Sequence, residues 1–263
     1  MSQSTPPYLT APGLVAAGIP HGFFSRRGGV SQGDFATLNT GPGSADQPEH
    51  VQENRRRCAA AIGVDGGRLM TIYQVHSADA MIVDAPWPDG TTPPKGDALV
   101  TAARGLALGA LAADCMPLLL ADPIAGVVSA VHAGWRGALG GVIEDAIAKM
   151  MSLGAKPEDI VAAIGPCLRP PNFQVGLELV EMFAVNRPGA ERFFSADQAQ
   201  EKRQLNLAEF AKWRLNLAGV DAVDDLGVCT LANHEAYFSY RGAMRAGHAD
   251  YGRNLSAIAL PAQ

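Results

Sequence analysis

Val127-Val128-Ser129-Ala130-Val131-His132-Ala133-Gly134-Trp135-Arg136-Gly137 is an apolar run that reads as a buried strand, closed by an imidazole able to bind metal, a glycine turn and a guanidinium. Two runs upstream end in a similar way: Tyr73-Gln74-Val75-His76 closes one, and Ala112-Ala113-Asp114-Cys115 closes another. His76, Cys115 and His132 therefore come from the ends of three strand-like segments. A zinc ion accepts such a set of two imidazoles and a thiolate. Immediately downstream, Leu139, Val142, Ile143, Ala146, Ile147, Met150 and Met151 follow the 3, 4, 7, 8 spacing of an amphipathic helix that stops at Gly154. Strand, turn with polar groups, then helix is the repeating theme of this chain.

Further strand-like runs are 69–75, 80–83, 98–101, 106–112, 118–121, 160–164 and 258–260. Asp46-Gln47-Pro48-Glu49 reads as a capping box with proline in the first turn, opening a helix that ends at Gly63. Asn206-Leu207-Ala208-Glu209 repeats that logic, with Leu207, Phe210 and Leu217 on one face and Gly219 beyond the end. A helix over 175–186 and a turn at Pro157-Glu158-Asp159 complete the set. Pro86 to Pro94 is a rigid loop between strands, and 195–203 is polar and exposed. Many strands and few helices imply a mixed sheet system covered by helices, of α/β (α+β) class.

At 263 residues and 48% hydrophobic content the chain is expected to form one domain over 1–263, with a loosely ordered N-terminal segment at 1–15. Lys and Arg number 21 against 26 Asp and Glu, a net charge of -5, which excludes the basic footprint of a nucleic-acid or anionic-membrane binder and favours small-molecule chemistry. The longest apolar runs are interrupted by Asp114 and fall short of the roughly 20 residues of a spanning helix. The N-terminus lacks the pattern of a secretory signal, so a cytoplasmic location is expected. Cys58, Cys115, Cys167 and Cys229 form no CxxC pair, which argues against a disulfide framework or a zinc ribbon. Nothing in the sequence sets an oligomeric state.

A two-His, one-Cys set leaves a fourth position open for catalysis, unless Cys167, in Gly165-Pro166-Cys167, closes it as a structural site. Arg136 sits at a helix start, where N–H groups and the dipole favour an anion; the same glycines also permit close packing, with Arg136 paired to a carboxylate. Arg26, in Phe23-Phe24-Ser25-Arg26-Arg27-Gly28-Gly29-Val30-Ser31, is placed either to present a guanidinium to ligand or in a solvated hairpin turn. Asp114 would face away from Cys115 on an extended backbone, as a general base, as an acceptor behind the ligands or as a turn cap. Gln74 shares a face with His76 and is able to touch a ligand or orient an imidazole. His21, His50, His234 and His248 read as solvated or structural. Tyr237-Phe238-Ser239-Tyr240-Arg241 offers aromatic surface, for core packing or for stacking a ring.

Phe24-Ser25-Arg26 with Gly28-Gly29-Val30-Ser31, Leu38-Asn39, Gln74-Val75-His76, Ala113-Asp114-Cys115-Met116-Pro117, His132-Ala133-Gly134-Trp135-Arg136-Gly137, Ile164-Gly165-Pro166-Cys167 and Phe238-Ser239-Tyr240-Arg241 together resemble the YfiH-like, laccase-domain family, in order and over nearly the whole chain. The resemblance implies a single-domain α/β sandwich and a zinc site whose ligands carry over to His76, Cys115 and His132. It also implies phosphorolysis of adenosine, inosine and methylthioadenosine, with adenosine deamination. On that reading Asp114 and Arg136 are the catalytic candidates, and Arg26, Asn39 and Gln74 the substrate-binding ones. Family descriptions also include copper polyphenol oxidases, for which Met116 would be an axial ligand, although six histidines furnish no multicopper cluster beyond that set. A third description is peptidoglycan editing, with Cys115 and His132 as nucleophile and base or zinc activating water. A metal-stabilised binding protein closed by Cys167 is the non-catalytic alternative. One departure stands out: similar proteins follow Tyr240-Arg241 with a second arginine and a short turn to Thr-Gly-Arg. Here 242–250 leads to Tyr251-Gly252-Arg253, so the C-terminal wall of the pocket, and with it substrate range, is expected to differ.

Overall fold

The computed structural model describes residues 5–88 and 90–261. Its centre is a hairpin of Met116–Asp122 (β7) and Val127–Ala133 (β8), each buried at every position, paired antiparallel from Met116 opposite Ala133 to Asp122 opposite Val127. The turn between them is closed by Asp122, whose Oδ1 accepts from the Ile124 and Ala125 amides, and by Gly126 at φ 66°. Ala98–Thr101 (β5) and Val161–Ile164 (β9) extend the hairpin on either side, and Ala80–Ile82 (β4) and Ala222–Asp225 (β13) add parallel edges, giving the order β13-β9-β7-β8-β5-β4. A second sheet runs Tyr8–Leu9 (β1), His21–Phe24 (β2), Asn254–Ala259 (β14), Ala107–Ala112 (β6) and Leu69–Thr71 (β3). Gln174–Gly176 (β10), Phe194–Ala196 (β11) and Lys202–Leu205 (β12) make a small third sheet.

The seven α-helices among the described residues are Pro12–Ala16 (α1), Pro48–Ala61 (α2), Trp135–Gly140 (α3), Val142–Ser152 (α4), Leu177–Asn186 (α5), Leu207–Leu217 (α6) and Tyr240–Arg245 (α7). Alternation along the strands divides the core. Leu119 and Ala121 of β7 meet Leu108 and Ala110 of β6 and Ile258 of β14 between the two large sheets. Leu118 and Leu120 point the other way, into a cluster with Ile143, Ile147 and Met150 of α4, Phe183 of α5 and Phe210 of α6. The outer face of the second sheet takes Cys58 and Ala59 of α2 against Leu69 and Leu255. The result is a sandwich of two mixed sheets with helices on both outer faces. That is why β7 and β8 read as unbroken apolar runs rather than alternating ones. Each fully buried leucine contributes about 1.5–3 kcal/mol of burial free energy.

Several expectations change. Tyr8–Leu9 pairs with β2 and α1 buries Leu14 completely, so residues 5–15 are not a loose segment; residues 1–4 lie outside those described. The helix read through Leu139 is two helices, broken by Gly141 at φ 111°. Asp46 does not cap α2: the N-cap is Gln47, and the Asp46 carboxylate instead accepts from Ser31 Oγ at 2.6 Å and Asn39 Nδ2 at 3.0 Å. Asn206 caps α6 as expected, its side chain accepting from the Glu209 amide, but Leu215 is buried while Leu217 is 62% exposed. The 195–203 stretch belongs partly to β11 and β12. Among the described residues no helix is long and apolar enough to cross a membrane.

Candidate metal centre

The β7/β8 register places Met116 opposite Ala133 and Pro117 opposite His132, so Cys115, one residue before β7, arrives beside the end of β8. His76 reaches the same point from the segment after β3. That strand stops at Thr71 rather than running on to Val75, because the amides of residues 75–77 turn onto a side chain instead of a neighbouring strand. The ligand atoms of His76, Cys115 and His132 all lie within 4.8 Å of one another, and Cys115 Sγ is 3.6 Å from His76 Nε2. The two imidazoles meet edge to face at 78°, with centroids 4.9 Å apart. A tetrahedral ion with bonds of about 2.0 Å to nitrogen and 2.3 Å to sulfur holds such atoms about 3.5 Å apart, close to the 3.6 Å between Cys115 and His76, and two imidazoles with a thiolate are a donor set that a metal ion such as zinc accepts. Gly134 makes the room: a Cβ there would sit 2.7 Å from His76 Cδ2 and 3.1 Å from Cys115 Sγ. Among the described residues two non-glycine ones adopt left-handed backbone, His76 at φ 61° and Asp114 at φ 83°, one a candidate ligand and the other next to one. Strain of this kind costs about 1–3 kcal/mol per residue and persists where the surroundings enforce it.

At His76 what enforces it is Asp97, just before β5. Its carboxylate accepts from the backbone amides of Val75 (3.2 Å), His76 (3.0 Å) and Ser77 (2.5 Å), and from His132 Nδ1 at 2.8 Å. Its carbonyl accepts from the His132 amide at 2.7 Å. One buried side chain thus fixes two ligands and leaves His132 Nε2 to face the cluster. Sequence reading missed Asp97; the available signal was a carboxylate opening an apolar strand, in Gly96-Asp97-Ala98, next to the strand carrying His132.

Burial by itself would raise the Cys115 thiol and discharge its imidazole partner, yet the two stabilise each other's charge. The charge and hydrogen bonds of His132, with His76, pull Cys115 down to about 6, and Cys115 with Asp97 pushes His132 up to about 9. A thiolate ready for metal is the consequence. The cluster opens on a cavity of about 300 Å³ walled by Tyr73, Gln74, Leu111, Tyr251, Arg253 and the Gly41-Pro42-Gly43 turn.

Of the other predicted site residues, Gln74 reaches that wall, where its side chain is engaged by both main-chain groups of Leu111, at 2.6 and 2.9 Å. Arg26, Asn39, Asp114 and Arg136 are not part of the wall. Arg26 donates to the Ala36 and His234 carbonyls and stacks on Phe238. Arg136 is exposed over the Trp135 ring. Asn39 is wholly buried, its Oδ1 accepting from the Gly41 and Arg253 amides. The Asp114 carboxylate accepts from Thr230 Oγ1 at 2.6 Å and from the Arg241 amide at 2.7 Å, tying the Cys115 turn to Thr230 and to the first turn of α7. Cys167 is outside the ligand cluster, buried in a backbone bridge to Cys229, with burial pushing its thiol up to about 12. The fourth-ligand expectation for Cys167 is therefore corrected. So is the axial-ligand expectation for Met116, which packs into the helix-covered core.

Fold and site define an α/β sandwich with a three-ligand candidate metal centre at the ends of its strands. The chain belongs to the multi-copper polyphenol oxidoreductase laccase family, the YfiH-like group, whose model matches residues 20–261. It is 39% identical over 258 residues to a purine nucleoside phosphorylase of Deinococcus radiodurans, covering 97% of this chain and 93% of the relative. A purine nucleoside phosphorylase of Streptomyces coelicolor is 40% identical over 224 residues, covering 85% of this chain and 90% of that one. The crystal structure of a Neisseria meningitidis protein of the DUF152 family superposes with a TM-score of 0.85 at 32% identity, covering 97% of this chain and 99% of that chain.

Proposed function

We propose that the chain is a zinc-dependent purine nucleoside phosphorylase of the cytoplasm, converting adenosine, inosine and methylthioadenosine with phosphate to free base and the sugar 1-phosphate, and that it also deaminates adenosine. The observation that carries this reading is the His76, Cys115 and His132 set opening on a cavity of about 300 Å³ instead of closing on a fourth protein ligand. That volume is at the small end of small-molecule sites. Relatives of similar length named purine nucleoside phosphorylase support the substrate class. Bound zinc supplies Lewis-acid polarisation and acidified water.

The chain's own residues do the rest. Asp97 holds His132 in one tautomer, and Cys115 binds as thiolate. Tyr73 and Tyr251 line the cavity and supply aromatic surface on which a purine would pack. In phosphorolysis a phosphate oxygen bonds to C1′ as the C1′–N9 bond breaks, and the departing base takes a proton. In deamination water adds at C6 and ammonia leaves. On this reading Asp114 positions Cys115, Gln74 shapes the wall, and Asn39 acts through the residues it holds.

Elemental analysis of the purified protein beside Cys115→Ser, each then given adenosine and phosphate with separation of the products, tests the proposal. About one zinc per chain, with adenine and ribose 1-phosphate or inosine formed by the parent alone, is the expected result. The pair, with the Cys115 proton already taken up by His132, also fits a thiolate nucleophile whose base returns that proton to the leaving group, acting on wall precursors. Zinc without nucleoside turnover would favour that hydrolase, and copper in place of zinc would favour the oxidase.

A further inference from the structure

Arg253 stands on the same cavity wall as the three ligands and is built in with unusual care. Its amide donates to Asn39 Oδ1 at 2.9 Å, and its carbonyl accepts from Thr40 twice, from the amide at 3.2 Å and from Oγ1 at 2.8 Å. Its stem lies against Gly41, where a Cβ would come within 2.4 Å of Arg253 Cδ and push the stem aside. The guanidinium is held through NH1, to Asp250 Oδ1 at 3.2 Å and the Tyr251 carbonyl at 2.7 Å, and it lies 4.3 Å from the centre of the Tyr251 ring, whose phenol also interacts with it. Nε and NH2 donate to no carboxylate or carbonyl within hydrogen-bond distance among the described residues, and the amide of Gly43, on the same wall, has no such acceptor either. A pinned NH1 leaves the Nε/NH2 edge as a fixed two-donor fork, the geometry that receives two oxygens of one oxyanion.

We infer that Arg253 and the Gly41–Gly43 turn form an oxyanion subsite filled by inorganic phosphate, next to the metal ligands. The inference rests on the nucleoside phosphorylase reading for its choice of phosphate over a carboxylate. It gives Asn39 its place: Asn39 is a positioning residue that joins the turn to the Arg253 backbone, in place of a residue that touches substrate. It also gives the glycine at 41 a purpose, since a Cβ there would displace the Arg253 stem that carries the fork.

The test is calorimetric titration of inorganic phosphate into the zinc-loaded full chain and into Arg253→Gln and Arg253→Lys, with Arg104→Gln as an equal charge change at an exposed arginine away from the cavity. Loss of a charge-assisted pair should weaken phosphate binding at least about tenfold in Arg253→Gln, less in Arg253→Lys, and leave Arg104→Gln like the parent. The KM for phosphate should rise by the same factor while the KM for inosine moves less than about twofold. Zinc content should stay at the parent's level. Phosphate affinity in Arg253→Gln and Arg253→Lys equal to the parent's overturns the inference, as does loss of zinc in step with phosphate. Acetate competing as well as phosphate at equal ionic strength would also overturn it, marking a carboxylate site. Arg253-dependent phosphate binding in a protein that forms no sugar 1-phosphate would keep the subsite and discard the phosphorylase reading.

Discussion

Asp97 carries the largest share of the site's geometry per atom. Three consecutive amides and an imidazole converge on its carboxylate, so two ligands distant in sequence are set by one side chain. Replacing it with asparagine turns an acceptor oxygen into an NH2 among donors. Asp97→Asn should bind zinc about 10–100-fold more weakly in chelator competition, the usual effect of losing a hydrogen-bond partner behind a ligating histidine. At Cys115 the sign of the pH effect follows from the lowered thiol. In metal-free protein the thiolate fraction, and with it the rate of alkylation by iodoacetamide, should rise as pH climbs through about 6. An ordinary thiol would respond near 8.5. An observed midpoint there would mean that the His132 pairing does not hold in solution. The ligands themselves were legible, since His76, Cys115 and His132 each end an apolar run. Asp97 was not recognised as part of the site, and Arg253 reads only as part of a C-terminal wall without a role, because an aspartate or an arginine looks the same in sequence whether it faces a cavity or a loop.

Among the elements, the buried hairpin β7/β8 is the most strongly written, and the helix after it the most misleading. Periodicity ran without interruption from Leu139 to Met151, yet Gly141 breaks the helix at φ 111°. A helical moment does not register a backbone kink when residues on both sides still face the same core. Gly141→Ala meets only ordinary contacts, Arg187 NH2 at 3.5 Å and Glu144 Oε2 at 3.6 Å, so backbone strain alone should act. A loss of about 1–3 kcal/mol in denaturant unfolding is expected. A neutral result would mean that α3 and α4 fuse without cost. The Asp46 capping signal failed for a different reason: its carboxylate has better partners in Ser31 and Asn39, contacts no local rule anticipates.

At the scale of the whole molecule, the candidate ligands join three segments separated by 39 and 17 positions, and only the folded chain brings them together. Metal bound to the native state alone stabilises it, by about 2.7 kcal/mol at a free concentration one hundred times Kd. Chelator should therefore lower the Tm of the parent in calorimetry and leave that of Cys115→Ser unmoved. Equal shifts in both would place the bound metal elsewhere. The sequence alone determined the strands of the hairpin, the donor set at their ends and the mixed α/β class, because burial on both faces and the borderline character of imidazole and thiolate are properties of the residues themselves. Tertiary structure decided the rest. Whether Cys167 or open space completes the metal's coordination, which of Arg26, Arg136 and Arg253 enters the cavity, and which carboxylate holds the ligands all depend on register and layer packing. Those bring together residues whose separation along the chain carries no signal of their distance in space.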